Sequence, residues 1–251
     1  MLPELDLGPI TLQTFGICFA LAFVGAGAVA ARGLQELGKP VDWAYEMVFA
    51  ALIGGLIGAK VNYLAENYDD VSGDLLGNLL SGSGLVFFGG LAGGAIAVLA
   101  WAWWRGFASL VLCDVVAPGL ALAYAIGRVG CQLSGDGDYG EPTDAFWGMA
   151  YPDGTVPTTE DVHPTPVFET VAMGLAAALL WNLRGRMRPG GLFALYLVIA
   201  GVERLLIEFI RRNDPVFAGL TPAQLVSVGL IVVGGGWLAG LYGSPSKARP
   251  A

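Results

Sequence analysis

Six ionisable side chains stand inside, or at the mouths of, stretches otherwise built from apolar residues and glycine: Lys60, Arg128, His163, Glu169, Arg204 and Glu208. A charge at the depth of a lipid bilayer costs roughly 2.5–3.5 kcal/mol on insertion scales, so such residues point to function before packing. Arg128 and Arg204 offer the most specific chemistry. The guanidinium is a planar, permanently charged fork that grips phosphate oxygens bidentately, and two at matched depth make a clamp for a phosphate diester. Glu208 follows Arg204 by one helical turn and could instead neutralise it. Lys60 could reach a headgroup layer along its own methylenes. His163, the one histidine of the chain, lies in His163-Pro164-Thr165-Pro166, where it either hydrogen-bonds the loop at a helix start or handles a proton.

Two local patterns add to this set. Gly127-Arg128-Val129-Gly130 places small residues on both sides of a cation, and Gly135-Asp136-Gly137-Asp138-Tyr139-Gly140 opens a loop whose glycines can take positive φ and present amide donors. The Gly/Asp alternation lacks the spacing and terminal glutamate of an EF-hand. Cys18, Cys113 and Cys131 are scattered and read as small apolar fillers, and with one histidine they complete no zinc site. No metal and no cofactor is expected.

The elements that must position these residues follow from composition. The chain has 251 residues, 55% of them hydrophobic and 14% charged, with a mean hydropathy of +0.63, far more apolar than a soluble domain. A membrane crossing needs about 20 mostly apolar residues. Seven stretches qualify, near 9–31, 45–65, 83–104, 109–130, 165–183, 190–210 and 220–242. The first lacks a basic leader and reads as a membrane helix, not a signal peptide. The expected fold is an all-α integral membrane protein, a single polytopic domain over residues 1–251. Residues 131–164 form its longest polar segment, between the fourth and fifth spans. Small pairs such as Gly54/Gly58, Gly89/Gly93 and Gly90/Gly94 predict close helix contacts.

Basic residues in short loops mark the cytoplasmic side. Arg32, Lys39, Arg105, Arg184, Arg186, Arg188, Lys247 and Arg249 fall on one face, and the acidic segments Glu66–Asp74 and Asp136–Asp161 on the other. Arg211 and Arg212 are the exceptions. The amino terminus is therefore expected outside, the carboxyl terminus in the cytoplasm, and 131–164 extracytoplasmic. The net charge of −8 gives a field of the wrong sign for nucleic acid. In this frame the ionisable cluster sits in the outer half of the bundle, around a cavity open to the outer leaflet. A small-molecule or lipid transporter would want polar groups in both halves, and the inner half holds little beyond Asp114. A non-catalytic scaffold is the other alternative.

With these residues in view, the chain resembles the prolipoprotein diacylglyceryl transferase family of bacterial plasma membranes. The resemblance is carried by Phe15-Gly16, Gly58-Ala59-Lys60-Val61-Asn62-Tyr63, Phe87-Phe88-Gly89-Gly90-Leu91, Asp114 with Ala117-Pro118, Gly127-Arg128-Val129-Gly130, His163-Pro164-Thr165-Pro166-Val167-Phe168-Glu169, and Glu203-Arg204 with Glu208-Phe209, in the family's order. It implies transfer of the diacylglyceryl group of phosphatidylglycerol to the lipobox cysteine of prolipoproteins, the first step of lipoprotein maturation. The implied partners are phosphatidylglycerol, prolipoprotein signal peptides and membrane lipids. The implied catalytic residues are Arg128, Arg204, Glu208 and His163. Lys60, Tyr63, Gly89, Gly90 and Glu169 join Arg128 and Arg204 in lipid binding. Phe88 stands where many members have a histidine, Phe15 where many have tyrosine, and Lys60 where arginine is commoner. Cys131-Gln132-Leu133-Ser134 replaces an asparagine-rich run. These departures leave the phosphate clamp and remove the obvious base, so a relative with another acceptor, or without catalysis, stays open at this point.

Overall fold

The computed structural model describes residues 1–6, 8–9, 11–68, 77 and 86–243. Among them are seven helices: α1 Thr14–Glu36, α2 Asp42–Glu66, α3 Phe87–Trp104, α4 Leu110–Ser134, α5 Thr165–Leu183, α6 Gly191–Glu208 and α7 Pro222–Tyr242. Two small antiparallel ribbons accompany them, β1 Glu4–Asp6 with β2 Thr11–Gln13, and β3 Met149–Tyr151 with β4 Thr158–Val162. Helices α1, α2, α4, α5 and α7 are long and apolar enough to cross a bilayer. Helix α3 is apolar but shorter, and α6 carries Glu203, Arg204 and Glu208 within its 18 residues. The protein is an all-α integral membrane protein.

Two boundaries differ from those expected. The first helix starts at Thr14 rather than at residue 9, because Thr11–Gln13 pair with Glu4–Asp6 and Leu5 faces Leu12. The fourth runs on to Ser134 rather than ending near 130, its last turn held by Ser134 Oγ donating to the Gly130 carbonyl at 2.8 Å. Asp69, Asp70, Asp74, Lys247, Arg249 and the start of the expected third span lie outside the described residues.

The chain gathers into two compact units, Ala30–Leu112 and Met1–Val29 with Cys113–Ala251. In the first, α2 and α3 approach backbone to backbone. A Cβ on Gly58 would collide with the Gly89 carbonyl and stand 2.8 Å from the Gly93 Cα, so the small-residue stripes are what permit the contact. At the other end of this pair Glu46 accepts from Trp101 Nε1 at 2.7 Å and Arg105 Nε at 2.8 Å.

In the second unit Ala117, Ala121 and Ala125 of α4 pack with Met173, Ala176, Ala177 and Leu180 of α5 and Leu192 of α6. Alanines on α4 bring these helices close. Helices α6 and α7 touch at Gly201, over the Ser227 carbonyl, and at Gly234, over the Ala194 carbonyl. The start of α6 is tied to α4 by Asp114, whose carboxylate accepts from Gly190 N at 2.7 Å and Phe193 N at 2.9 Å. These are amides that a helix start leaves without intrahelical partners. The segment after α4 folds over buried Tyr139, Tyr151 and Val162, with the two tyrosine rings stacked at 4.8 Å.

Candidate functional site

Three helices and one loop of the second unit converge on a single buried carboxylate. Glu169 lies one turn inside α5, its side chain fully buried. Arg128 Nε of α4 stands 3.1 Å from its Oε2, and Arg204 Nη1 of α6 donates to its Oε1 at 3.2 Å. Tyr124, one turn before Arg128, donates its hydroxyl hydrogen to the same Oε1 at 2.8 Å. It also accepts from Arg128 Nη2 at 3.3 Å. Arg204 is held from its other side by Glu208, 2.8 Å from Nη2. Glu208 Oε1 in turn accepts from Asn213 Nδ2 and from Thr221 Oγ1, each at 2.7 Å. Thr221 also caps α7, so Glu208 fastens the start of that helix to the arginine.

The loop after α4 supplies a second carboxylate. Asp138 bridges two guanidiniums, with Oδ2 on Arg128 Nη1 and Oδ1 2.5 Å from Arg211 Nη2. Its backbone is set by Gly135 and Gly137, both at positive φ, and its own carbonyl accepts from Thr165 Oγ1 at 2.5 Å. Arg211 arrives by a backbone bridge to Gly140, where a Cβ would run into the Ile210 carbonyl. Glycine is therefore required at 140. Burial alone would raise the Asp138 carboxyl, but Arg128 and Arg211 beside it hold it below the usual carboxylate range. Arg211 Nη1 is buried with no hydrogen-bond partner among the described residues, 3.9 Å from Glu169 Oε2.

The charge count decides what this cluster can do. Arg128, Arg204 and Arg211 face Asp138, Glu169 and Glu208, so the paired core is neutral. Glu203 is a further buried carboxyl whose Oε1 has no hydrogen-bond partner among the described residues. Buried ions in a low dielectric are tolerated when each is paired and hydrogen-bonded, and such a set presents preorganised donors to an incoming anion. Cys131, Asp136 and Asp138 also bring ligand atoms within 4.8 Å of one another. Two guanidiniums already claim Asp138, so a cation there would meet their repulsion.

Of the residues expected from sequence, Arg128, Glu169, Arg204 and Glu208 are brought together. His163 is tied to the loop. Its Nδ1 accepts from Trp147 Nε1 at 3.1 Å, and its backbone pairs with Gly140 and Glu141. Lys60, Tyr63, Gly89 and Gly90 belong to the other unit. There Lys60 is buried with its Nζ 5.7 Å from the centre of the Tyr63 ring, and Gly89 abuts Gly58 and Asn62.

Tyr124, Asp138, Glu203 and Arg211 were missed as site residues. Part of this was legible. Tyr124, Arg128 and Cys131 repeat at i, i+4 and i+7, as do Arg204, Glu208 and Arg211, the spacing of one helical face. By sequence Arg211 is an exception to the distribution of basic residues and Cys131 a small apolar filler, yet the Cys131 Sγ lies 3.8 Å from both Arg128 Nη1 and Asp138 Oδ2.

The model of the prolipoprotein diacylglyceryl transferase family matches residues 4–239. The chain is 30% identical over 235 residues to the phosphatidylglycerol-prolipoprotein diacylglyceryl transferase of Clostridium tetani, covering 91% of this chain and 93% of that protein. It is 31% identical over 246 residues to the enzyme of that name in Chromohalobacter salexigens, covering 92% and 91%. To phosphatidylglycerol-prolipoprotein diacylglyceryl transferase 2 of Clostridium perfringens it is 31% identical over 234 residues, covering 90% and 89%.

Proposed function

This chain belongs to the prolipoprotein diacylglyceryl transferase family, and from that premise we infer that its arginine cluster receives the phosphate of phosphatidylglycerol. The protein is a multi-pass transferase of the bacterial inner membrane. It moves the diacylglyceryl group of phosphatidylglycerol to the lipobox cysteine of prolipoproteins, the first step of lipoprotein maturation. In the reaction the cysteine sulfur forms a bond to the glyceryl carbon, the carbon–oxygen bond to phosphate breaks, and glycerol phosphate leaves with the electron pair. The thiol proton must go to a base, to the departing phosphate or to water.

The observation that carries the assignment of roles is the sharing of Glu169 by Arg128 and Arg204, two helices apart in the sequence. In this reading both guanidiniums hold the phosphate oxygens as charge develops on them. Glu169 and Glu208 aim those guanidiniums. Lys60, Tyr63, Gly89 and Gly90 are assigned to lipid binding by the family resemblance alone. With phenylalanine at 88, His163 is the imidazole available to take the thiol proton, and Trp147 occupies its Nδ1, which leaves Nε2. The placement of basic residues supports an outer amino terminus and a cytoplasmic carboxyl terminus.

The test is reconstitution with phosphatidylglycerol and a lipobox peptide, read by mass spectrometry of the peptide. Wild type adds the diacylglyceryl mass and Arg128→Ala loses at least about a hundredfold in rate, the scale of removing a charge-stabilising donor. Equal rates in the two proteins would remove Arg128 from the mechanism.

A further inference from the structure

We propose that Asp138 sets the charge selectivity of the arginine cluster, admitting a phosphate diester and turning away a phosphate monoester. The inference rests on the reading of that cluster as the phosphate site. Its basis is the bridge itself. Asp138 places one carboxylate oxygen on Arg128 and the other on Arg211, the geometry in which two guanidiniums would share the oxygens of a phosphate. Its side chain is 34% exposed while those of Arg128 and Arg211 are 15% and 9% exposed. It is therefore the more solvent-accessible member of both ion pairs.

The arginines keep donors for a ligand. Arg211 Nη1 has no hydrogen-bond partner among the described residues, and each guanidinium offers five N–H groups. An anion can join the cluster, but it must do so beside the Asp138 carboxylate, against which its charge is opposed. The opposition grows with the charge brought in. A phosphate diester carries one negative charge, and a monoester carries roughly −1.5 to −2 at neutral pH. The lipid substrate is of the first kind and the released glycerol phosphate of the second. With three carboxylates already matching three guanidiniums, the site tolerates the substrate and disfavours the product. Electrostatics then favours release of glycerol phosphate.

The test is calorimetric titration of the purified full chain in detergent with two water-soluble headgroups. One is glycerophosphoglycerol, a diester, and the other is glycerol 1-phosphate, a monoester. Wild type binds the diester more tightly. Asp138→Asn, which removes one negative charge a few ångströms from the ligand, tightens the monoester about tenfold or more and the diester by less. In the transfer assay the same variant becomes inhibited by added glycerol 1-phosphate. A wild type that prefers the monoester overturns the proposal, and so does a folded variant whose monoester affinity is unchanged or weaker. Should Asp138→Asn fail to fold, the wild-type order of affinities decides alone. Binding is read without turnover. A wild type that prefers the diester yet transfers nothing would sink the transferase reading and leave this one standing. Binding of neither headgroup would sink the phosphate site and this proposal together.

Discussion

Glu169 collects Arg128, Arg204 and Tyr124 on its two oxygens, so the geometry of each guanidinium depends on the others. At such a site an ammonium is not a substitute for arginine, because it has one charged centre and no planar fork to face both a carboxylate and a phosphate. Arg204→Lys is expected to cut transfer at least about tenfold in spite of its retained charge, since it abandons either Glu169 or Glu208. Wild-type rates in the lysine variant would reduce Arg204 to a source of charge.

Asp138 adds a pH dependence whose sign can be worked out. Its folded carboxyl is held below the ordinary range by Arg128 and Arg211, against burial. The stability this contributes is complete above the unfolded value of about 3.9 and is lost as pH falls through the lower folded value. The melting-temperature gap between wild type and Asp138→Asn should stay constant from neutral pH to about 5 and close only below about 4. A gap that closes between pH 7 and 5 would contradict the ion pairs.

At the scale of elements, the site depends on how α4, α5 and α6 are fastened. Alanines at 117, 121 and 125 bring α4 against α5 and α6, and Asp114 fixes the start of α6 near the other end of α4. The tether is remote from the arginines along the helix. Asp114→Ala leaves two helix-start amides without their acceptor, a loss of about 1–2 kcal/mol. Thermal unfolding in detergent should register it, with transfer at permissive temperature largely kept. Lost transfer in a variant as stable as wild type would assign Asp114 a role in the chemistry. The carboxyl end of α6 is fastened differently, through Glu208 to Thr221 and Asn213, which joins the start of α7 to the arginine it supports.

At the scale of the whole chain, orientation decides which leaflet the cluster meets. Loop residue Asp144 is exposed, and Cys18 and Cys131 are buried while Cys113 is partly so. An Asp144→Cys variant is expected to react with a membrane-impermeant maleimide on intact cells, and labelling only after lysis would invert the topology. Hydropathy located the helices because a bilayer reads each stretch by itself, about 20 residues at a time. It misjudged the start of α1, where strand pairing with Glu4–Asp6 competes. The positions along the helices of Arg128, Glu169, Arg204 and Glu208, which the structure brings together, were legible for the same reason.

What the amino-acid sequence determined by itself was therefore the apolar helices and the positions of the charges along them, since both are local properties of the chain. Only the tertiary structure decided the pairing. Asp138 and Arg211 are 73 residues apart and meet through a glycine-set loop and a backbone bridge at Gly140. No periodicity within either segment contains that contact, because it arises where separate segments fold against one another.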